Sequence, residues 1–170
     1  MFKYLKWVKS KDPTVKNIFD VLFFCDGIKL IWYYRIAHFL YYKKLKFVAR
    51  IISQIAKKKY CAEIHPACFI GKRLFIDHAL GIVIGATSII GDDCIIYHGV
   101  TIGSKDISLI KRHPTIGNNV LIGAGSIILG NVCIGDNTKI GAGSIVVEDI
   151  LPNSVVICQK AKQIVNSDCE

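Results

Sequence analysis

The chain has 170 residues, 52% of them hydrophobic, and its 22 Lys and Arg against 13 Asp and Glu leave a formal charge of +9. That apolar content supports one packed domain and excludes a disordered, acidic or fibrous chain. Seven cysteines, an odd number with no C-x-x-C pair, argue against a disulfide scaffold and for reduced thiols in a cytoplasmic protein.

The first sixty residues are predicted to be helical. Asp12-Pro13 has the form of a helix start, with Asp as cap and Pro in the first turn. Met1 to Ser10 carries three Lys, but no apolar run follows at once, so no signal peptide is expected. The stretch Val21–Tyr42 is apolar and aromatic, yet it contains Asp26, Lys29, Arg35 and His38, which argue against a membrane span. Asp26-Gly27 is read as a break between helices. The clusters Lys43-Lys44-Leu45-Lys46 and Lys57-Lys58-Lys59 are read as solvated helix faces. No nucleic-acid-binding motif accompanies the dispersed Lys and Arg, so neither nucleic acid nor a membrane is expected as a partner. The positive charge still suits an anionic ligand such as a polyphosphate cofactor.

From about residue 61 to 157 an aliphatic residue recurs every sixth position, usually followed by Gly. The series runs Ile64, Ile70, Ile76, Ile82, then Ile84, Ile90, Ile96, Ile102, then Ile116, Ile122, Ile128, Ile134, Ile140, Val146. A period of six fits neither a helix nor an ordinary alternating strand. It marks a parallel β-helix, in which six residues supply one short flat face and a corner. Small or β-branched residues four places later (Cys68, Ser88, Cys94, Val100, Val120, Ser126, Val132, Thr138, Ser144) suit a second inward position. The phase slips by two between Ile82 and Ile84. The step from Ile102 to Ile116 is too long for one repeat, so Ser104–Thr115 is predicted to leave the prism as a loop, carrying Lys105, Asp106, Lys111, Arg112 and His113. The tail from Cys158 onward reads as irregular.

Three histidines sit in unusual company. Asp77-His78 falls where the repeat needs a corner, Arg112-His113-Pro114 closes the extruded loop, and Glu63-Ile64-His65-Pro66 opens the first coil. A carboxylate with His can make an oriented general base, and a nearby cation can hold a substrate carboxylate. His38, His65 and His98 are read as structural.

These elements together resemble the serine O-acetyltransferases in their short form, within the hexapeptide-repeat acyltransferases. The resemblance runs through Lys11-Asp12-Pro13, Tyr34-Arg35-Ile36-Ala37-His38, Glu63-Ile64-His65-Pro66, Phe75-Ile76-Asp77-His78-Ala79, Gly99-Val100-Thr101-Ile102-Gly103, Lys111-Arg112-His113-Pro114-Thr115-Ile116-Gly117 and Ile140-Gly141-Ala142-Gly143-Ser144. It implies a left-handed β-helix, an exception to the right-handed crossover rule, assembled as a homotrimer whose N-terminal helices are free to pair two trimers. It also implies acetyl-CoA as co-substrate in the groove between prisms, L-serine as acceptor, and no metal. Residue by residue, the resemblance makes His78 the general base and gives Glu63 the place of a carboxylate that orients it. Asp12, Asp77, Arg112 and His113 match positions that hold the amino acid. Gly103, Ala124, Lys139 and Ala142 match positions that contact the CoA arm.

The chain departs from the family pattern in three places. A Gly-Gly-Thr-Gly-Lys segment is replaced by Gly103-Ser104-Lys105-Asp106-Ile107, a Gly-Val-Pro-Ala turn by Cys158-Gln159-Lys160-Ala161, and a common Glu by Ala86. Three other functions share the prism: a sugar or polysaccharide O-acetyltransferase, a zinc enzyme using His78, His98 and His113, and a non-catalytic trimeric scaffold. The end Asn166-Ser167-Asp168-Cys169-Glu170 lacks the terminal Ile with which many family members engage O-acetylserine sulfhydrylase. No tail-mediated complex with that enzyme is expected, because a buried unpaired Glu is unfavourable.

Overall fold

The computed structural model describes residues 2–11, 17–107 and 110–159. Asp12, and the tail beyond residue 159, lie outside them.

The N-terminal part holds α1 (Phe2–Lys9), α2 (Ile18–Phe24), α3 (Asp26–Tyr42) and α4 (Lys46–Tyr60). Asn17 starts α2 through a reciprocal cap: its Oδ1 accepts from Asp20 N at 2.9 Å, and Asp20 Oδ2 accepts from Asn17 N at 3.0 Å. Asp26-Gly27 is not a break: Cys25 separates the helices, and Asp26 and Gly27 open α3. The glycine serves packing, since a Cβ there would collide with the carbonyl of Ile76. Among the described residues no helix is long and apolar enough to cross a membrane.

The repeat then winds a left-handed parallel β-helix. The first coil is β1 (Glu63–Ile64), β2 (Phe69–Ile70) and β3 (Phe75–Ile76). The second is β4 (Val83–Ile84), β5 (Ile89–Ile90) and β6 (Ile95–Ile96). The third is β7 (Thr101–Gly103), β8 (Thr115–Ile116) and β9 (Leu121–Ile122). The fourth is β10 (Ile127–Leu129), β11 (Cys133–Ile134) and β12 (Lys139–Ile140). The last holds β13 (Ile145–Val146) and β14 (Val155–Val156). Strands stack into three flat sheets, β1-β4-β7-β10-β13, β2-β5-β8-β11 and β3-β6-β9-β12-β14, termed faces A, B and C.

Register places each repeat aliphatic on its counterpart, as in Ile64 on Ile84 on Ile102 on Ile128 on Val146. These residues are buried, and so are all nine predicted second inward positions, from Cys68 to Ser144. Burial pushes the Cys68 thiol up to about 12 and Cys94 up to about 11, so both are inert fillers.

The corners are regular. Between faces C and A, the glycines 81, 99, 125 and 143 take left-handed φ of 67–71° and tie each coil to the one before, as in Gly99 N to Leu80 O at 2.8 Å and Gly125 N to His98 O at 2.9 Å. Between faces B and C, Arg73, Asp93, Asn119, Asn137 and Asn153 hold the left-handed position. Their side chains form a ladder: Arg73 pairs with Asp93, and Asn119 donates to Asn137 and Asn137 to Asn153, each at 3.0 Å.

α3 and α4 close the near end of the prism. Tyr34 Oη donates to Cys68 O at 2.8 Å and accepts from Ile70 N at 3.1 Å. Arg35 donates to Ile70 O at 2.6 Å and to Gly71 O, and His38 Nδ1 lies 2.9 Å from Pro66 O. At the far end, Leu151, Val155 and Ile157 are exposed.

Candidate active site

The phase slip turns out to be an insertion in one corner. Other corners from face C to face A take four residues from inward to inward position, as Ile96 to Val100. The first takes six, from Ile76 to Ile82. The extra length carries His78 and Ala79, at φ 60° and 63°. Two consecutive non-glycine residues in left-handed backbone are uncommon and cost on the order of 1 kcal/mol each or more. The turn leaves the His78 side chain 69% exposed. Its ring meets the edge of His98 from the next coil, with centroids 5.7 Å apart. Asp77 Oδ2 is 3.8 Å from His78 Nε2, too long for a hydrogen bond.

Glu63 begins β1 on the same edge, its chain position fixed by Gly81 N donating to Cys61 O at 2.9 Å. Among the described residues its carboxylate engages Lys57 Nζ, at 2.5 Å, and has no hydrogen bond to His78. A cavity of about 240 Å³ lies here, lined by Lys57, Cys61, Ala62, Glu63, Gly81, Ile82 and Val83.

His113 sits on the opposite edge of face A, where the extruded loop rejoins the prism. The loop is 104–114, since Thr115 already belongs to β8. His113 is buried and held by Thr87. The backbone N–H groups of Arg112 and His113 donate to Thr87 Oγ1 at 3.1 Å each. Thr87 Oγ1 lies 2.8 Å from His113 Nδ1, and Thr87 N donates to the same nitrogen at 3.2 Å. Nδ1 is therefore the acceptor, and the neutral ring carries its hydrogen on Nε2. Burial, then the Arg112 and Lys111 charges, hold His113 below the ordinary imidazole range. The ring lies against Gly85, where any Cβ would overlap it. Lys111 Nζ anchors the loop by donating to Thr87 O at 2.7 Å and Pro114 O at 3.2 Å, and burial lowers its pKa.

The predicted CoA contacts split the same way. Ala124 and Ala142 stack at the corner from face C to face A, where Gly143 N donates to Ala124 O at 2.8 Å, and Lys139 is exposed on face C. Gly103 ends β7 on the far edge of face A. One chain thus brings together His78, Asp77, Glu63, Ala124 and Ala142 on one edge, and Arg112, His113 and Gly103 on the other. Asp12 lies outside the described residues. Sequence reasoning missed Gly85, Thr87 and Lys57. A larger cavity of about 700 Å³ opens between α3 and the corner from face B to face C, but its Arg35 and Tyr4 already donate to backbone carbonyls.

A family model described as bacterial transferase hexapeptide (six repeats) matches residues 113–147. A serine acetyltransferase from Helicobacter pylori is 46% identical over 160 residues, which cover 94% of this chain and 94% of the relative. The chain belongs to the serine acetyltransferase family. Two solved serine acetyltransferases superimpose closely. The enzyme from Brucella abortus, in complex with coenzyme A, is 36% identical with a TM-score of 0.89, covering 98% of this chain and 67% of its own. That from Neisseria gonorrhoeae, in complex with serine, is 40% identical with a TM-score of 0.87, covering 94% of this chain and 65% of its own. This chain thus spans about two thirds of the length of those solved chains.

Proposed function

We propose that this chain is a cytoplasmic enzyme that transfers the acetyl group of acetyl-CoA to the hydroxyl of L-serine, giving O-acetylserine for cysteine synthesis. The observation that carries the reading is the paired arrangement on face A: His78 exposed on an inserted corner at one edge, and His113 pinned beside Arg112 at the other. The coenzyme A and serine complexes of the solved relatives support both substrates.

The two edges lie apart in one chain, so the reading needs neighbouring prisms. In a cyclic trimer each His78 edge faces the Arg112–His113 edge of the next copy. Exposed Phe69 and Val83 on the prism, at 55% and 41%, supply apolar surface for such packing. Asp12 and Asp77 offer charge for the serine ammonium, and Arg112 for its carboxylate. The small residues Ala124, Ala142 and Gly103 leave room for the narrow arm of CoA, and Lys139 offers charge for its phosphates.

Neutral His78 then takes the serine hydroxyl proton as the oxygen attacks the thioester carbonyl, with Glu63 orienting the imidazole. When the tetrahedral species collapses, the C–S bond breaks and the proton passes to the thiolate, giving O-acetylserine and free CoA. A positioned base of this kind contributes about 10²–10⁴ in rate. The test measures free CoA thiol on mixing the protein with acetyl-CoA and L-serine. Release with serine, and background release with sugar acceptors or water, is expected. Release that is faster with a sugar, or absent with serine, would overturn the reading.

A further inference from the structure

α4 touches the Glu63-Ile64-His65 segment through three successive side chains. Lys57 Nζ is 2.5 Å from Glu63 Oε2, Ser53 Oγ donates to Ile64 O at 2.8 Å, and Arg50 Nη1 lies 2.7 Å from His65 Nε2. Steps of four and three along the helix place the three on one side of α4. They meet 63, 64 and 65 in reverse order, so the helix runs antiparallel to β1 and fixes each residue in turn. The middle contact is to backbone and docks the helix. The outer two bind side chains, and one of these is the carboxylate assigned above to orient His78.

Glu63 needs such a partner. Its Cβ is fixed by β1, but three further torsions separate the backbone from the carboxylate, and the neighbouring Val83 on face A offers no polar atom. Lys57 is the cation that selects one arrangement. It borders the same 240 Å³ cavity as Glu63, whereas Lys58, next in sequence, lines a different cavity with Phe47 and Ile51. We infer that Lys57 is a positioning residue for the acetyl transfer, fixing the Glu63 carboxylate on the edge of face A that also carries His78. This rests on the role given to Glu63 above.

The experiment is a double-mutant cycle on kcat with saturating serine and acetyl-CoA, using the full chain. Lys57→Met is expected to lower kcat about ten-fold, the scale seen when a residue that orients a reacting group is lost, with both KM values unchanged. Lys57→Arg restores most of it, and Lys58→Met leaves kcat at its starting value. In a Glu63→Gln background, Lys57→Met adds no further loss, because it acts through that carboxylate. A loss for Glu63→Gln with none for Lys57→Met overturns the inference alone. Independent, multiplicative losses also overturn it, since Lys57 would then act without Glu63. No loss for Glu63→Gln overturns the reading of Glu63, and the inference with it. Thermal midpoints of all variants separate an undocked α4 from a lost carboxylate: a fall in kcat that tracks the midpoint and is not rescued by Arg marks Lys57 as only structural.

Discussion

Face A has a histidine at each edge, and the two are built in opposite ways. His78 stands on an inserted left-handed corner, largely exposed, with another imidazole against its ring. His113 is buried, with Thr87 fixing its tautomer and Gly85 making room for its ring. A solvated imidazole can take up and release a proton, whereas a buried ring with its acceptor nitrogen occupied is a fixed donor. On the proposed mechanism, that contrast suits the first edge to proton transfer and the second to substrate holding. In the proposed trimer a single chain would supply half of two different sites.

Breaking the exposed edge has the largest expected effect. His78→Ala is expected to cut turnover by about 10²–10⁴, with the assembly intact by light scattering. Mixing sharpens the comparison: trimers combining His78→Ala and Arg112→Ala chains are expected to regain activity that neither parent has, because one groove per mixed trimer joins two unaltered edges. If mixed trimers stay as inactive as their parents, the two edges do not share a site.

Breaking the buried edge acts first on structure. Gly85→Ala places a methyl group where the His113 ring lies, an overpacking worth about 1–3 kcal/mol. The expected result is a lower thermal midpoint together with a raised serine KM. An unchanged midpoint would show that the ring moves freely.

The smallest expected effect is on pH dependence. His113 is held below its ordinary value of 6.5, and burial with Arg50 lowers His65 in the same way. Below about pH 6.5 the unfolded chain binds more protons than the folded one, so stability falls with pH through that range. Denaturant titrations should show the decline and a shallower slope for His113→Asn. A slope identical to that of the parent would remove His113 from the account.

The repeat made the prism legible because its period is local: every inward residue follows from counting sixes and fours. The inserted corner was legible as a phase slip, although the slip shows three residues after the insertion itself, at Ile82, since aliphatic spacing registers only once the chain turns inward again. His113 was legible through the loop that carries it. Thr87 and Gly85 were not, because they reach His113 across 26 and 28 positions of sequence, and Gly85 reads like every other corner glycine. Lys57 was read as one of three solvated lysines, since nothing local distinguishes the lysine that faces β1 from the two that do not. Gly27 was taken as a helix break because its role, yielding space to the Ile76 carbonyl, lies in another element.

Among the described residues the helices seal the near end of the prism, which gives the stack a direction. Each rung is held by the rungs above and below it, so a stack of this kind loses order from whichever end is least held. The rung at Val155–Val156 has a neighbour on one side among the described residues, and Leu151 and Ile157 beside it are exposed. The first coil is gripped by Tyr34, Arg35 and Ser53. Among the described residues the last coil is the least held, and order is expected to be lost from it first. His78 and His113, in the corners of the first three coils, are the parts of the molecule that an early loss of order leaves standing.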